Sequence, residues 1–431
     1  MERTLALDSV KKVGEKISLE GWVQTRRDHG KIVFIDLWDR SGLVQIVVKT
    51  GLDENVKPQT SVRIEGSVQE RSKETVNPNL PTGTVEVVSD KVEILGQAAA
   101  LPFDIDTDLQ IETFLDNAAL TLRSKKARAT FRVQSAIARS FADFFSGQGF
   151  VQIQTPKIVV AATEGGTNLF EINYFDRKAY LAQSPQLYKQ IMVGVFERVF
   201  EISPVFRAEP HSTTRHINEY VSLDMEMAFI KDHRDIIEMG NKFFRFLIEK
   251  LGELKLEFDL FGAKLPVMPE TVPVLTLREA QELIKGSGGR DGDGEPDLEP
   301  GDERKLGEVV KSKFDSDFVW VTHYPTKKRA FYTKPDPANP ELSLGVDLIC
   351  CGAEVISGGQ RINDEKELIE ALKMRGINPD NFEFYRQAFR FGMPPEGGLA
   401  IGLERLTAQL LGLQNIRFAT LFPRDVNRLT P

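Results

Sequence analysis

Cysteine is nearly absent: Cys350 and Cys351 are the whole complement of 431 residues. They are adjacent and flanked by Leu348 and Ile349, so they read as buried thiols, and no zinc-type spacing exists. Long apolar runs are missing too. None approaches the ~20 residues that span a bilayer, and the opening MERTLALDSVKKVGEK has no apolar signal core. A soluble, cytoplasmic protein without a membrane partner is expected. Positive charge is not in excess either, since 55 Lys+Arg stand against 63 Asp+Glu for a net −8. General binding of polyanions is therefore disfavoured, and any nucleic acid must be met locally, by stacking and a few placed donors. What the chain does have is a 41% hydrophobic content, enough for large cores in two or three domains.

Residues 17–95 read as short strands separated by turn signals: ISLEGWVQTR, KIVFIDLWD, GLVQIVVK, SVRIEGSVQE and GTVEVVSDKVEIL. This is the pattern of a small Greek-key barrel, the OB-fold, placed at 1–100. Any five-stranded barrel would read alike, and the fold alone does not fix a function. Residues 101–125, with Pro102 and several acids, read as a hinge. Over 126–431 strands and helices mix with antiparallel signals predominating, which predicts an α+β domain built on an antiparallel sheet. Inside it GSGGRDGDGEPDLEPGDERK, 286–305, lacks apolar periodicity and reads as a flexible surface insertion. Asp291, Asp293 and Glu295 hint at a calcium loop, but Pro296 stands where that loop turns on glycine.

Two arginines sit in strongly apolar frames. Arg207 follows the strand-like run of Val199, Phe200, Ile202, Val205 and Phe206, and Arg405 lies in a helical pattern marked by Leu403, Leu406 and Leu410. Guanidinium groups hold phosphate oxygens in a planar, bidentate way, so the two suggest a clamp on a polyphosphate. Two structural Arg–carboxylate pairs would give the same spacing. In QSPQLYKQ, Ser184, Gln186 and Lys189 gather where a strand enters a helix, with serine as an ordinary cap. The Gly165–Gly166 pair reads as a loop that opens and closes over a pocket, or as a plain tight turn. In VDLICCGAEVISGGQRI a hairpin turning near Cys351–Gly352 would place Asp347 and Glu354 diagonally on one sheet face, where a divalent cation would relieve their repulsion. Arg361 lies an odd number of residues beyond Glu354 and would point away, unless a bulge at Gly358–Gly359 turns it back.

These stretches resemble the class II aminoacyl-tRNA synthetases. Arg207 and Glu209 in FRAE are similar to that class's second motif, and Gly402, Glu404 and Arg405 in GLERL to its third. A helix near 128–146 followed by GFVQIQTP, ending at Pro156, is similar to its first. Three motifs in the right order make a specific signal. The resemblance covers nearly the whole chain outside 286–305 and implies ATP and Mg²⁺, with Arg207, Glu209 and Arg405 acting on the phosphates and Asp347 and Glu354 holding the metal. It implies His216 against adenine, whose alternative is a surface histidine at a loop end.

Lys189 narrows the resemblance to the enzymes for L-aspartate, which place a lysine there, with an arginine at the Arg361 position, on the substrate carboxylate; the asparagine enzymes have glutamate. Ser184, Gln186 and Asp224 would complete this site, and Glu164 would meet the substrate ammonium. With no large domain between the second and third motifs and none after the third, the chain resembles the archaeal and eukaryotic branch. In the barrel, Phe34 resembles the aromatic that stacks on the central anticodon base, with Arg27, Gln45 and Glu86 near the reading edges; its alternative is ordinary barrel core. His29 and Pro78 resemble enzymes that charge tRNA(Asn) as well as tRNA(Asp), whose product would need an amidotransferase partner. The first motif implies a homodimer. Competing readings are an aspartate-specific enzyme, an asparaginyl-tRNA synthetase, an amino-acid ligase of asparagine-synthetase type, and a catalytically silent RNA-binding paralogue.

Overall fold

Val62, Ile64 and Val68 are buried while Ser61, Arg63 and Glu65 beside them are not, the period-two pattern of a strand with one face in a core. The structure, a computed structural model, describes residues 1–49, 51–160, 168–210 and 213–431. It divides into two units, Met1–Asp104 and Ile105–Pro431. Among the described residues no helix is long and apolar enough to cross a membrane.

The first unit is a closed five-stranded barrel of β1 (Lys16–His29), β2 (Ile32–Trp38), β3 (Leu43–Val48), β4 (Ser61–Glu70) and β5 (Val85–Gly96). β1 pairs with both β2 and β4, β2 with β3, and β5 closes the circuit against β4 and, in parallel, β3. Leu19, Ile35, Leu37, Ile46 and Val87 fill it. Gly66 stands where the barrel bends, because a Cβ there would overlap the Val88 carbonyl.

The second unit runs through α1 (Lys125–Gly147), β6 (Val151–Gln152), α2 (Gln186–Phe196), β7 (Arg198–Phe206), β8 (Glu219–Ala228) and α3 (His233–Leu251). It continues with β9 (Val274–Thr276), α4 (Pro300–Phe314), β10 (Phe318–Thr322), β11 (Gly345–Cys350) and β12 (Ala353–Gln360). It ends with α5 (Glu383–Arg390), β13 (Glu396–Gly402) and α6 (Leu403–Leu411). The sheet order is β9-β10-β11-β12-β13-β8-β7-β6, antiparallel except for a parallel pair at each edge.

Helices α1, α3 and α6 cover one face. Ser124 caps α1 by accepting from the Ala127 N–H, and its Val133, Ile137, Phe141 and Phe145 at helical spacing join Phe243 and Phe244 of α3 in one core. Gly240 lets α3 approach the sheet, since a Cβ there would lie 2.8 Å from the Trp320 ring. Leu223, Met225 and Met227 of β8 face this core. Ser222, Asp224 and Glu226 alternate with them, so the strand turns its polar row to the other face, where the functional groups gather.

Two expectations change. Residues expected as a hinge contain helices at Ile111–Asp116 and Ala118–Thr121; Arg428 takes Glu112 at 2.9 Å and Asp116 at 2.7 Å, so those acids are counter-ions within the second unit. The end of the 286–305 insertion is helical, and part of the rest is tied to it by hydrogen bonds and ion pairs. Pro300 opens α4, Glu299 and Asp302 form a reciprocal cap, and Arg290 pairs with Asp302 at 2.6 Å. Composition missed this because polar groups bonded to one another leave no apolar periodicity.

Candidate active site

A cleft of about 340 Å³ opens on the polar face of the second unit. Its upper part is built by the loop after β7, by β12 and by the start of α6. The Arg207 guanidinium lies 5.5 Å from the Tyr220 ring centre. Asn218 locks the loop, its amide donating to the Arg207 carbonyl at 2.6 Å and the Glu209 carbonyl at 3.1 Å. His216 lines the cleft, with Nε2 3.7 Å from Glu209. Arg405 projects from the first turn of α6 to within 3.6 Å of Glu354. Glu404 beside it is buried and accepts from the Val221 N–H at 3.1 Å, fastening α6 to β8; burial pushes its pKa up to about 7.

The floor holds an enclosed ionic network. Lys189, on α2, lies 3.0 Å from both Asp224 and Glu226. Arg361, just past β12, donates through Nε to Glu226 at 2.7 Å and through Nη2 to the Gly398 carbonyl at 3.1 Å. Gly398 is required there, because a Cβ would overlap the Glu226 carboxylate. Burial works against the Lys189 charge, but Glu226 and Asp224 outweigh it and raise its pKa; burial likewise opposes the charge of Glu226, which Arg361 and Lys189 reverse. Gln186 reaches Arg361 at 3.4 Å. Ser184 lines the cleft and accepts from the Gln186 N–H at 3.3 Å, although the capping position itself is Pro185. Glu164 and the Gly165–Gly166 pair lie outside the described residues.

The β11–β12 hairpin corrects three details. Val355 is the extra residue of a bulge, since Leu348 pairs with Ile356 but Ile349 with Glu354. The bulge that brings Glu354, Ser357 and Arg361 to one face therefore lies before Ser357, not at Gly358–Gly359; Gly358 instead packs where a Cβ would stand 2.5 Å from the Gly398 carbonyl. Asp347 is diagonal to Glu354 but is held by both terminal nitrogens of Arg329, one at 3.0 Å. Cys350 is buried, whereas Cys351 is exposed at the turn with φ 50°. Glu354, 36% exposed at the cleft, has its pKa pushed up to about 7 by its low-dielectric surroundings and by Asp347. Among the described residues no cluster of three or more His, Cys, Asp or Glu could hold a metal alone. Mg²⁺ binds through one or two carboxylates with phosphate oxygens and water, and the cleft-facing Glu354 carboxylate, with Asp347 behind it already held by Arg329, fits it.

Arg215, Arg329 and Ser357 also line the cleft, and sequence reasoning missed them, as it missed Glu226. The period-two pattern of LDMEMAF places Glu226 on the face of Asp224 and could have found it. No local pattern marks Arg329, which meets Asp347 eighteen residues on.

On the barrel, Ile35 and Leu37 point inward, so Phe34 stands on the outer face and is not core. His29 meets it edge-on at 5.7 Å. Arg27 is cross-strand from Phe34 and pairs with Asp36 at 2.9 Å, Gln45 donates to Glu86 at 3.1 Å, and Pro78 is exposed in the loop before β5.

Residues 110–426 match the family described as tRNA synthetases class II (D, K and N), and residues 17–95 match the OB-fold nucleic acid binding domain. The aspartate–tRNA(Asp/Asn) ligase of Thermus thermophilus is 44% identical over 434 residues, covering 100% of both chains. The aspartate–tRNA(Asp) ligase of Pyrococcus horikoshii is 39% identical, covering 97% of each. The crystal structure of asparaginyl-tRNA synthetase from Pyrococcus horikoshii with asparaginyl-adenylate superimposes with a TM-score of 0.91 at 31% identity, covering 100% of both chains.

Proposed function

We propose that this chain, which belongs to the class II tRNA synthetases, activates L-aspartate with ATP and transfers it to tRNA(Asp) and tRNA(Asn). The observation that carries the amino-acid choice is the pair of buried cations, Arg361 lining the cleft and Lys189 behind Asp224. A site built around fixed positive charge favours a side-chain carboxylate and leaves the amide of asparagine poorly matched.

In this reading the aspartate α-carboxylate attacks the α-phosphorus of ATP in line, and pyrophosphate leaves. Arg207 and Arg405 offset the charge that grows on the phosphates, and Glu209 with His216 orients the nucleotide. Glu354, with Asp347 behind it, would hold Mg²⁺, which supplies further charge neutralisation there. The tRNA 3′-hydroxyl then attacks the aspartyl-adenylate and AMP departs. Positioning and charge carry both steps, so no side-chain proton relay is needed.

The outward Phe34, with Arg27, Gln45 and Glu86 around it, supports anticodon stacking on the barrel. His29 and Pro78 and the name of the Thermus relative support a broad tRNA range, whereas the name of the Pyrococcus relative favours an aspartate-specific alternative. An amidotransferase would then be the partner that converts the misacylated tRNA(Asn), and the work belongs in the cytoplasm. Exposed Val151, Ile158 and Val160 near the first motif support a homodimer, because a symmetric interface covers them twice; sedimentation of an active monomer would remove that part. Aspartate-dependent ATP–pyrophosphate exchange, followed by charging of the two purified tRNAs side by side, tests the whole. Exchange dependent on asparagine alone would overturn it.

A further inference from the structure

Glu396 opens β13 fully buried, and among the described residues no basic side chain forms an ion pair with it. Its Oε1 accepts from Gln190 Nε2 at 2.6 Å. The orientation of that amide is settled by its other end, where Gln190 Oε1 accepts from the Tyr385 hydroxyl at 2.9 Å and from Gln186 Nε2 at 2.9 Å. Glu396 Oε2 is left buried with no donor pointing at it. Glu396 is paired across the sheet with Ala228 and Glu226 with Gly398, so the two acids are diagonal neighbours on one face, close enough to share a hydrogen bond. Two carboxylates sharing an enclosed contact need a proton between them. Glu226 is ion-paired directly with Lys189 and Arg361, whereas Arg361 reaches Glu396 only at longer range, so the proton resides on Glu396.

We propose that Glu396 is a neutral carboxylic acid that donates from Oε2 to Glu226, and is thereby a positioning residue for Arg361 and Lys189 in the recognition of aspartate. This rests on the reading that those two cations hold the substrate carboxylate. The groups facing Glu396 are Glu226 of β8, Gln190 of α2, Tyr385 of α5 and Arg361 after β12, with Lys189 and Asp224 beyond Glu226 and the Tyr332 ring 5.3 Å from Arg361. With Glu396 neutral, Lys189 and Arg361 balance Asp224 and Glu226, and the floor is electrically neutral before substrate arrives. An ionised Glu396 would add a negative charge against an anionic substrate. Burial, with Glu226 beside it, raises the Glu396 pKa well above the ordinary carboxylate range, in agreement with the geometry.

Infrared difference spectra of the full protein at neutral pH, wild type minus Glu396→Gln, should contain the carbonyl stretch of a protonated acid. Carboxylate bands in its place would overturn the charge state. Steady-state exchange tests the positioning role. Glu396→Leu, which fills the space without a donor, should raise KM for aspartate about tenfold or more. Its KM for ATP should stay within about twofold of wild type. Glu396→Gln restores a neutral donor to Glu226 and an acceptor for Gln190, so it should bring the aspartate KM back to within about threefold of wild type. A folded Glu396→Gln as impaired as Glu396→Leu, or a folded Glu396→Leu with unchanged aspartate KM, would overturn the role. The infrared measurement contains no aspartate, so an enzyme that activates asparagine instead would sink the parent reading and leave the acid band in place.

Discussion

Arg329 holds Asp347 through both terminal guanidinium nitrogens, so one acid of the hairpin is neutralised by the protein while Glu354 faces the cleft with Arg405 3.6 Å away. The two carboxylates should therefore fail differently. Glu354→Gln should raise the Mg²⁺ needed for half-maximal exchange by about tenfold with little change in melting temperature. Asp347→Asn leaves the part-buried Arg329 guanidinium without its counter-charge and should cost about 1–3 kcal/mol of stability. Metal titrations and thermal melts of the two variants check this, and an unchanged Mg²⁺ response in Glu354→Gln would remove Glu354 from the metal site.

Replacing Arg361 with leucine takes away one of the two cations at the floor and leaves Glu226 with Lys189 alone. Aspartate-dependent kcat/KM should fall by about a hundredfold or more, equivalent to roughly 3 kcal/mol. ATP affinity should survive, because Arg207 and Arg405 lie in the upper part of the cleft. Exchange kinetics with calorimetric ATP binding separate the two effects, and normal aspartate dependence in a folded variant would take Arg361 out of substrate recognition.

Glu404 offers a pH test. Burial raises its folded pKa to about 7, above the ordinary glutamate value. A carboxyl raised in this way contributes stability that is fully present below the unfolded pKa of about 4.3 and is lost as pH climbs through about 7. Glutamine keeps an acceptor for the Val221 N–H and never ionises. Glu404→Gln should therefore gain on wild type between pH 5 and pH 8, by up to roughly 3 kcal/mol. Denaturant unfolding at the two pH values measures it; a gap independent of pH would mean that Glu404 is ionised throughout.

His29 meets Phe34 on the outer barrel face, and Pro78 is exposed in a separate loop. If these leave the third anticodon base loosely read, tRNA(Asp) and tRNA(Asn) should be charged with efficiencies within about tenfold, or ~1.4 kcal/mol. His29→Ala and Pro78→Ala should depress charging of tRNA(Asn) more than of tRNA(Asp) and leave tRNA-independent exchange unchanged. A wild-type preference for tRNA(Asp) of about a thousandfold would support the aspartate-specific alternative.

Sequence alone determined what is local and periodic. Alternation of apolar residues located the strands of the barrel, and the resemblance to the class II motifs placed a helix near 128–146, where α1 runs, and brought Arg207, Glu354, Arg361 and Arg405 into one hypothesis. The same periodicity also required a bulge between Glu354 and Arg361, because an odd offset otherwise sends a side chain to the opposite face. Its position at Val355 was decided by pairing with β11, which no residue type announces. Tertiary structure alone joined Arg329 to Asp347, and Gln190 to Glu396 across 206 residues of chain. It also turned the acids of 286–305 into capping and ion-pair partners. Hydrogen bonds and charge pairs act through space between segments far apart in sequence, so the sequence supplies the groups while folding decides which of them share a proton, a cation or a face.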